Sequence, residues 1–244
     1  MRFLLLLCAL AMPVVSWFSQ KGAFGPDNGS ISDRYPTLLV AAGYAFAVWG
    51  LIFLLDVVFG IWQARQRSNA TLARVRPAAA TGFALTAAWM PIFSQQVFWL
   101  ALLVIWSSLS CLLYCAIVLS RDLSPRPGQV VWAWLPLSLH AGWLSLAAFL
   151  NTAQVIVAYR LLPAERMLSW SLGLLAAAAL LLLANHHMRG NIAYALVALW
   201  GLAAVHVEQS RLALPGGDVA AWVAVAMAVL VVAQTLWLRL ARSR

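Results

Sequence analysis

The chain has 244 residues, 64% of them hydrophobic and 9% charged, where an average soluble domain has about 45–50% and about 25%. Thirteen tryptophans, sixteen Lys and Arg, and only seven carboxylates exclude a disordered chain, a collagen, a coiled coil and a nucleic-acid-binding domain. The basic excess is therefore read first as membrane topology and only then as an anion-binding surface. Cys8, Cys111 and Cys115 lie inside apolar runs with no paired spacing, so neither a disulfide frame nor a metal site is expected.

A hydrocarbon core about 30 Å thick takes around 20 apolar residues per helix at 1.5 Å rise. Eight segments meet that requirement: Arg2 to Phe18, Pro36 to Trp62, Pro77 to Phe93, Val97 to Ser120, Val130 to Tyr159, Met167 to His187, Asn191 to Val207 and Val219 to Leu240. Breakers separate them, among them Gly25-Pro26-Asp27-Asn28-Gly29, Pro125-Arg126-Pro127-Gly128, Pro163 and Pro215-Gly216-Gly217. The expected fold is thus all-α, a polytopic integral membrane bundle of about eight transmembrane helices. The first segment is read as a retained helix. Its basic start, short leucine-rich core and small Ala9, Ala11 and Ser16 also suit a cleavable secretory signal. The third and fourth segments meet through only Ser94, Gln95 and Gln96, which demands a tight helical hairpin.

Cytoplasmic loops carry the excess of Arg and Lys, so the charge distribution tests this division independently. With the amino terminus inside, the cytoplasmic segments hold Arg2, Arg65, Arg67, Arg74, Arg76, Arg121, Arg126, Arg189, Arg239, Arg242 and Arg244 against one acid, Asp122. The other side holds Lys21, Arg34, Arg160, Arg166 and Arg211, balanced by Asp27, Asp33, Glu165, Glu208 and Asp218. An even number of spans follows, with both termini cytoplasmic, in the cell (inner) membrane.

Polar groups are costly in the bilayer centre and usually face the bundle interior, so they locate any site. Asp56 is the one acid well inside a span, and at 3.6 residues per turn it shares a face with Trp49, Phe53, Gly60 and Gln63. His140, Trp143, Ala147, Asn151 and Gln154 share a narrow face of the fifth span, opposite the small Ala141, Ser145, Ala148 and Thr152, which permit close approach of a neighbouring helix. Gly82, Trp89 and Gln96 repeat at heptad spacing, and Trp99, Trp106 and Ser110 form a stripe. Four helices are thereby expected to turn tryptophan toward a shared interior, a setting suited to a flat, largely apolar ligand. Tryptophans near span ends (Trp17, Trp62, Trp99, Trp132 and Trp237) read as interfacial anchors. No nucleotide loop, HExxH or nucleophile with a plausible base is present, so neither an enzyme nor a cofactor is expected.

Three segments carry a resemblance to a known family. Leu85-Thr86-Ala87-Ala88-Trp89-Met90-Pro91-Ile92-Phe93 resembles the "LNxxWxPxFF" segment of the TspO/MBR tryptophan-rich sensory proteins. Gly43-Tyr44-Ala45-Phe46-Ala47-Val48-Trp49-Gly50-Leu51-Ile52-Phe53 is similar to that family's aromatic "FxxxWxxLY" helix, and the stretch from Leu135-Pro136 to Asn151 to its "PYxxWxxFAxxLN" helix. Thr86 stands where many members have asparagine, and Leu137 where many have tyrosine.

The resemblance covers roughly residues 1–160 and implies a five-helix bundle there, with residues 161–244 adding three further helices. It further implies an integral membrane receptor or sensor that binds porphyrin or tetrapyrrole-like ligands in a tryptophan-lined cavity, often as a homodimer. By residue match it places Trp49, Trp89, Trp143 and Asn151 on that cavity. With helix-face arithmetic, the candidate ligand-binding set becomes Trp49, Phe53, Asp56, Trp89, Phe93, Trp106, His140, Trp143 and Asn151. The competing expectation is a secondary transporter using Asp56 as a proton or ion site.

Overall fold

The computed structural model describes residues 1–67, 70–177, 179–212 and 214–241. Its helices are α1 (Arg2–Gln20), α2 (Asn28–Arg34), α3 (Val48–Arg65), α4 (Ala70–Ser94), α5 (Phe98–Ser120), α6 (Leu135–Ala158), α7 (Met167–Ala177), α8 (Leu180–His187), α9 (Ile192–Arg211) and α10 (Gly217–Leu240). A 3-10 turn, Gly43–Ala47, leads into α3, and a π-helical turn, Val130–Trp134, leads into α6. The π turn follows from Pro136. With no N–H there to give to the Trp132 carbonyl, the chain widens, and Leu135 N–H reaches back to the Val130 oxygen.

Among the described residues seven stretches are long and apolar enough to cross a membrane, and α4 is not one of them. It carries Thr71, Arg74, Arg76, Thr81 and Thr86 along with Pro77 and Pro91. Yet α4 runs the length of the bundle against α1 and α5. At its start Arg76 donates to the Gln63 and Gln66 carbonyl oxygens, 2.9 Å each, and Thr71 donates to Asp122 at 2.7 Å. At its end Ser94 meets Ser19, the last turn of α1, at 3.1 Å. These contacts stretch the third helix beyond the segment expected, to 70–94, with Pro77 inside it rather than at its start. The turn to α5 is as tight as expected, with Gln96 at φ 59 and accepting from the Tyr35 hydroxyl at 3.1 Å.

The second segment also differs. Residues 36–42 are not helical, because their polar backbone is satisfied elsewhere. The Thr37 hydroxyl accepts from Leu39 N–H, the Thr37 and Val40 carbonyls accept from the Gln209 amide, and Ala42 N–H reaches the Ala204 oxygen. The sixth segment is present as α7 and α8, with residue 178 outside the described residues.

The central helix is α6, most of its residues buried, packed against α5 on one side and α9 on the other. Gly142 is what lets α9 approach: a Cβ there would meet Val197 and, at 2.8 Å, the Tyr194 carbonyl oxygen. Tyr194 in turn donates its hydroxyl to Ser145 at 2.9 Å. The small-residue face expected on this helix is therefore used for helix packing.

Several residues of the predicted cytoplasmic arginine set are held at helix ends by side-chain to backbone bonds. The Gln63 amide donates to the Arg2 oxygen, Arg126 to the Arg67 oxygen, Arg121 to the His187 oxygen and Arg239 to the Gly190 oxygen. Arg242 and Arg244 fall outside the described residues.

Candidate functional site

Helix α3 buries one face, and it is the face expected: Trp49, Phe53, Asp56, Gly60 and Gln63, with Ile52 and Phe59 beside it. Gly60 sets the angle between α1 and α3. A Cβ on it would stand 3.1 Å from Leu6 and 3.2 Å from Ala9, so the two helices touch near the arginine-rich end and part toward the other. Where they part they leave a groove of about 930 Å³, lined among others by Pro13, Trp17, Phe46, Trp49, Gly50 and Phe53. Its lip is open to the outside, with Leu54 61% and Trp17 58% exposed. Its far end is closed by the start of α2, where Asp27 caps the helix by accepting from Gly29 and Ser30 N–H and from the Ser30 hydroxyl. The hydroxyl bond, followed by the Ser30 N–H, holds the Asp27 carboxyl below its ordinary range despite some burial.

Behind Trp49 lies a second, closed space. Trp89, Phe93, Trp143, Asn151 and Gln154 line it, and it shares Asn28, Phe46 and Trp49 with the groove. Trp89 donates its indole N–H to the Asn151 oxygen at 3.0 Å and stacks on Phe93 at 4.7 Å. Trp49 meets Trp143 edge to face at 6.0 Å. These side chains occupy the gap between their helices, and the space left measures about 20 Å³, room for one water and no more. The residues of the expected aromatic cavity are therefore brought together, and they fill it. Trp143 Nε1 and Asn28 Oδ1 find no hydrogen-bond partner there among the described residues.

Asp56 and His140 line neither space. They form a pair beneath Trp49 and Phe53, Asp56 Oδ2 to His140 Nδ1 at 2.7 Å, with both side chains fully buried. Phe83 lies flat on the imidazole at 5.8 Å, and Trp49 meets it edge-on. Polar contacts continue through Thr86, 3.4 Å from His140 Nε2 and 2.8 Å from Ser108, which donates to the Gly82 carbonyl. Thr86, at the position where many family members carry asparagine, thus serves this chain of hydrogen bonds rather than either cavity.

Trp106 points elsewhere. Half-buried, it donates to Thr152 at 3.3 Å and packs edge-on against Phe149. Trp99 is 56% exposed. That exposure fits the reading of Trp99 as an interfacial anchor, while the stripe it forms with Trp106 and Ser110 does not face the interior, where α5 turns Phe98, Ala101, Ile105, Leu109 and Leu112 instead. Its sequence is apolar all round, so no periodicity chose between the two faces. Conversely, Asn28, Phe46, Gly50 and Met90 line the groove without having been singled out; Phe46 sits one helical turn before Trp49, inside the stretch similar to the family's aromatic helix.

A family model described as TSPO-like protein matches residues 2–237. The chain belongs to the TSPO-like family. That match runs through α7–α10 as well as α1–α6, so the TSPO-like sequence is not confined to the first five spans. No curated protein and no solved structure matches the chain. As a TSPO-like protein with seven helices apolar and long enough to cross a membrane, it is a multi-pass membrane protein.

Proposed function

We propose that this TSPO-like protein is an intramembrane receptor or sensor for a flat, largely apolar ligand of the porphyrin or tetrapyrrole type, taken up in the groove between α1 and α3. One observation carries the reading: about 930 Å³ of space floored by Phe46, Trp49 and Phe53, within the usual range of about 300–1,000 Å³ for small-molecule sites. Ring faces at its floor would stack on a planar ligand, and Asp27, Ser16 and Gln20 at its end offer polar partners to the ligand's edge. On this reading residues 161–244 support the bundle from outside, since no groove-lining residue comes from them. The arginine-rich end is placed in the cytoplasm of the cell carrying this inner-membrane protein, both termini with it.

The test is a titration of the purified protein with protoporphyrin IX, followed by tryptophan emission. Saturable quenching is expected, because Trp49 and Trp17 line the groove; quenching that rises linearly without saturation contradicts the proposal. A second reading, transport coupled to a proton or ion at Asp56, is favoured by the 2.7 Å contact with His140 in the middle of the bundle. Substrate flux in proteoliposomes that persists in Asp56→Asn would remove it.

A further inference from the structure

The arginine-rich end of the bundle contains a separate cavity of about 260 Å³, between the ends of α5, α8 and α10 and the starts of the π turn and α9. Three helices arrive there by their C-termini, whose last carbonyls lack intrahelical partners and carry the negative end of the helix dipole. Arg121 Nε answers that demand at the end of α8, donating to the His187 oxygen at 2.9 Å, and Arg239 Nε donates to the Gly190 oxygen, in the turn after α8, at 3.1 Å. Capping takes one N–H of a guanidinium that has five. Arg239 and Arg189 both line the cavity, Arg189 with a partner of its own, while the two Nη groups of Arg239 make no hydrogen bond among the described residues.

The one acid in the cavity wall does not pair with them. Asp122 accepts from Thr71 and Gln129, both at 2.7 Å, and from Ser124 N–H at 3.0 Å. Burial raises its pKa, but these three bonds together outweigh burial and hold it below the ordinary carboxylate range, so its oxygens are already engaged. Ser120, Gln129 and Asn191 add polar groups to the wall, and Leu119, Val130, Trp134 and Met188 form an apolar flank. Val130 is half exposed, and Trp132 and Trp237 stand outside at the same end, 39% and 63% exposed, as indoles do at a membrane surface.

A site with the forked cationic donor of Arg239, an apolar flank and a rim at the membrane surface selects an amphipathic anion. We infer that this cavity binds the phosphate headgroup of an anionic phospholipid, its acyl chains lying along the exposed apolar surface beside Val130. The charge balance agrees, since the end that gathers the arginines would face the leaflet that carries anionic lipid. This site is distant from the groove, so its fate does not depend on the ligand reading above.

The experiment melts the full-length protein in a non-ionic detergent with added dioleoylphosphatidylglycerol, dioleoylphosphatidylcholine or inorganic phosphate. The glycerol lipid is expected to raise Tm where the choline lipid does not, and Arg239→Gln to raise its half-saturating concentration about fivefold, in line with roughly 1 kcal/mol per basic residue at an anionic surface. Arg34→Gln, at the opposite end, should leave the response unchanged. Equal stabilisation by both lipids, the same effect from inorganic phosphate alone, or equal losses in Arg239→Gln and Arg34→Gln would each overturn the proposal. Should Arg239→Gln not fold, Arg239→Lys keeps the charge without the fork; an unchanged lipid response in that variant overturns the proposal too.

Discussion

The two aromatic spaces of this bundle share a wall and differ in everything a ligand would notice. On one side of Trp49, Trp89 stacks on Phe93, Trp143 meets Trp49 itself, and about 20 Å³ is left; on the other side, Phe46, Trp49 and Phe53 floor a groove of about 930 Å³. The side chains are alike, so richness in tryptophan does not decide which one is a cavity. What stands between the helices does. Trp89 and Asn151 bond across the gap between α4 and α6, and large rings occupy it, whereas α1 and α3 touch at Gly60 and part above it.

That contrast can be broken from the closed side first. Trp143 is 1% exposed, and truncating it to Ala should cost about 3–5 kcal/mol of stability, as other large-to-small core changes do, read by thermal melting in detergent. A cost under about 1 kcal/mol would show that the closed space is not packed. Next is the pair beneath Trp49. Asp56→Ala leaves a fully buried His140 Nδ1 without its partner and should cost about 3 kcal/mol, while Asp56→Leu combined with His140→Leu should restore much of it; a double-variant cost equal to the sum of the Asp56→Leu and His140→Leu costs would show that the two residues are not coupled.

The groove side responds more mildly. Asp27→Ala removes the cap of α2 and should cost about 1 kcal/mol, with Asp27→Asn keeping most of the cap. Because hydrogen bonds from Ser30 hold the Asp27 carboxyl low, its contribution is fully present above the unfolded value of about 3.9 and is lost as pH falls through the lower folded value. Melting of wild type and Asp27→Asn should therefore converge in that acid range, and a difference that widens on acidification contradicts the assignment. Smallest of all, Leu54→Ala at the open lip should change stability by no more than about 0.5 kcal/mol.

Much of this was legible in the chain. Apolar length and the breakers give the spans, and helix-face arithmetic finds the buried faces of α3 and α6, including Asp56 with His140. The family resemblance rests on Trp49, Trp89, Trp143 and Asn151, and these do converge. What periodicity could not supply was distance between helices. Whether a ring-lined interior is open or filled depends on contacts such as Gly60 against Ala9, set by residues far apart in sequence. For the same reason Trp106 was placed on the wrong side of a helix that is apolar all round, and Asp56 and His140, although together, lie under the groove floor rather than in it.

Gly50 offers the most direct test of where a ligand goes. It lines the groove, and a Cβ added to it meets nothing within 4 Å, so Gly50→Phe fills the groove without disturbing the packed side. Protoporphyrin IX is titrated into wild type, into Gly50→Phe and into the double variant Trp89→Phe, Trp143→Phe, with binding followed by the porphyrin's own absorption. The account predicts saturable binding in wild type and in the double variant and its loss in Gly50→Phe; binding that survives in Gly50→Phe and disappears in the double variant would contradict it.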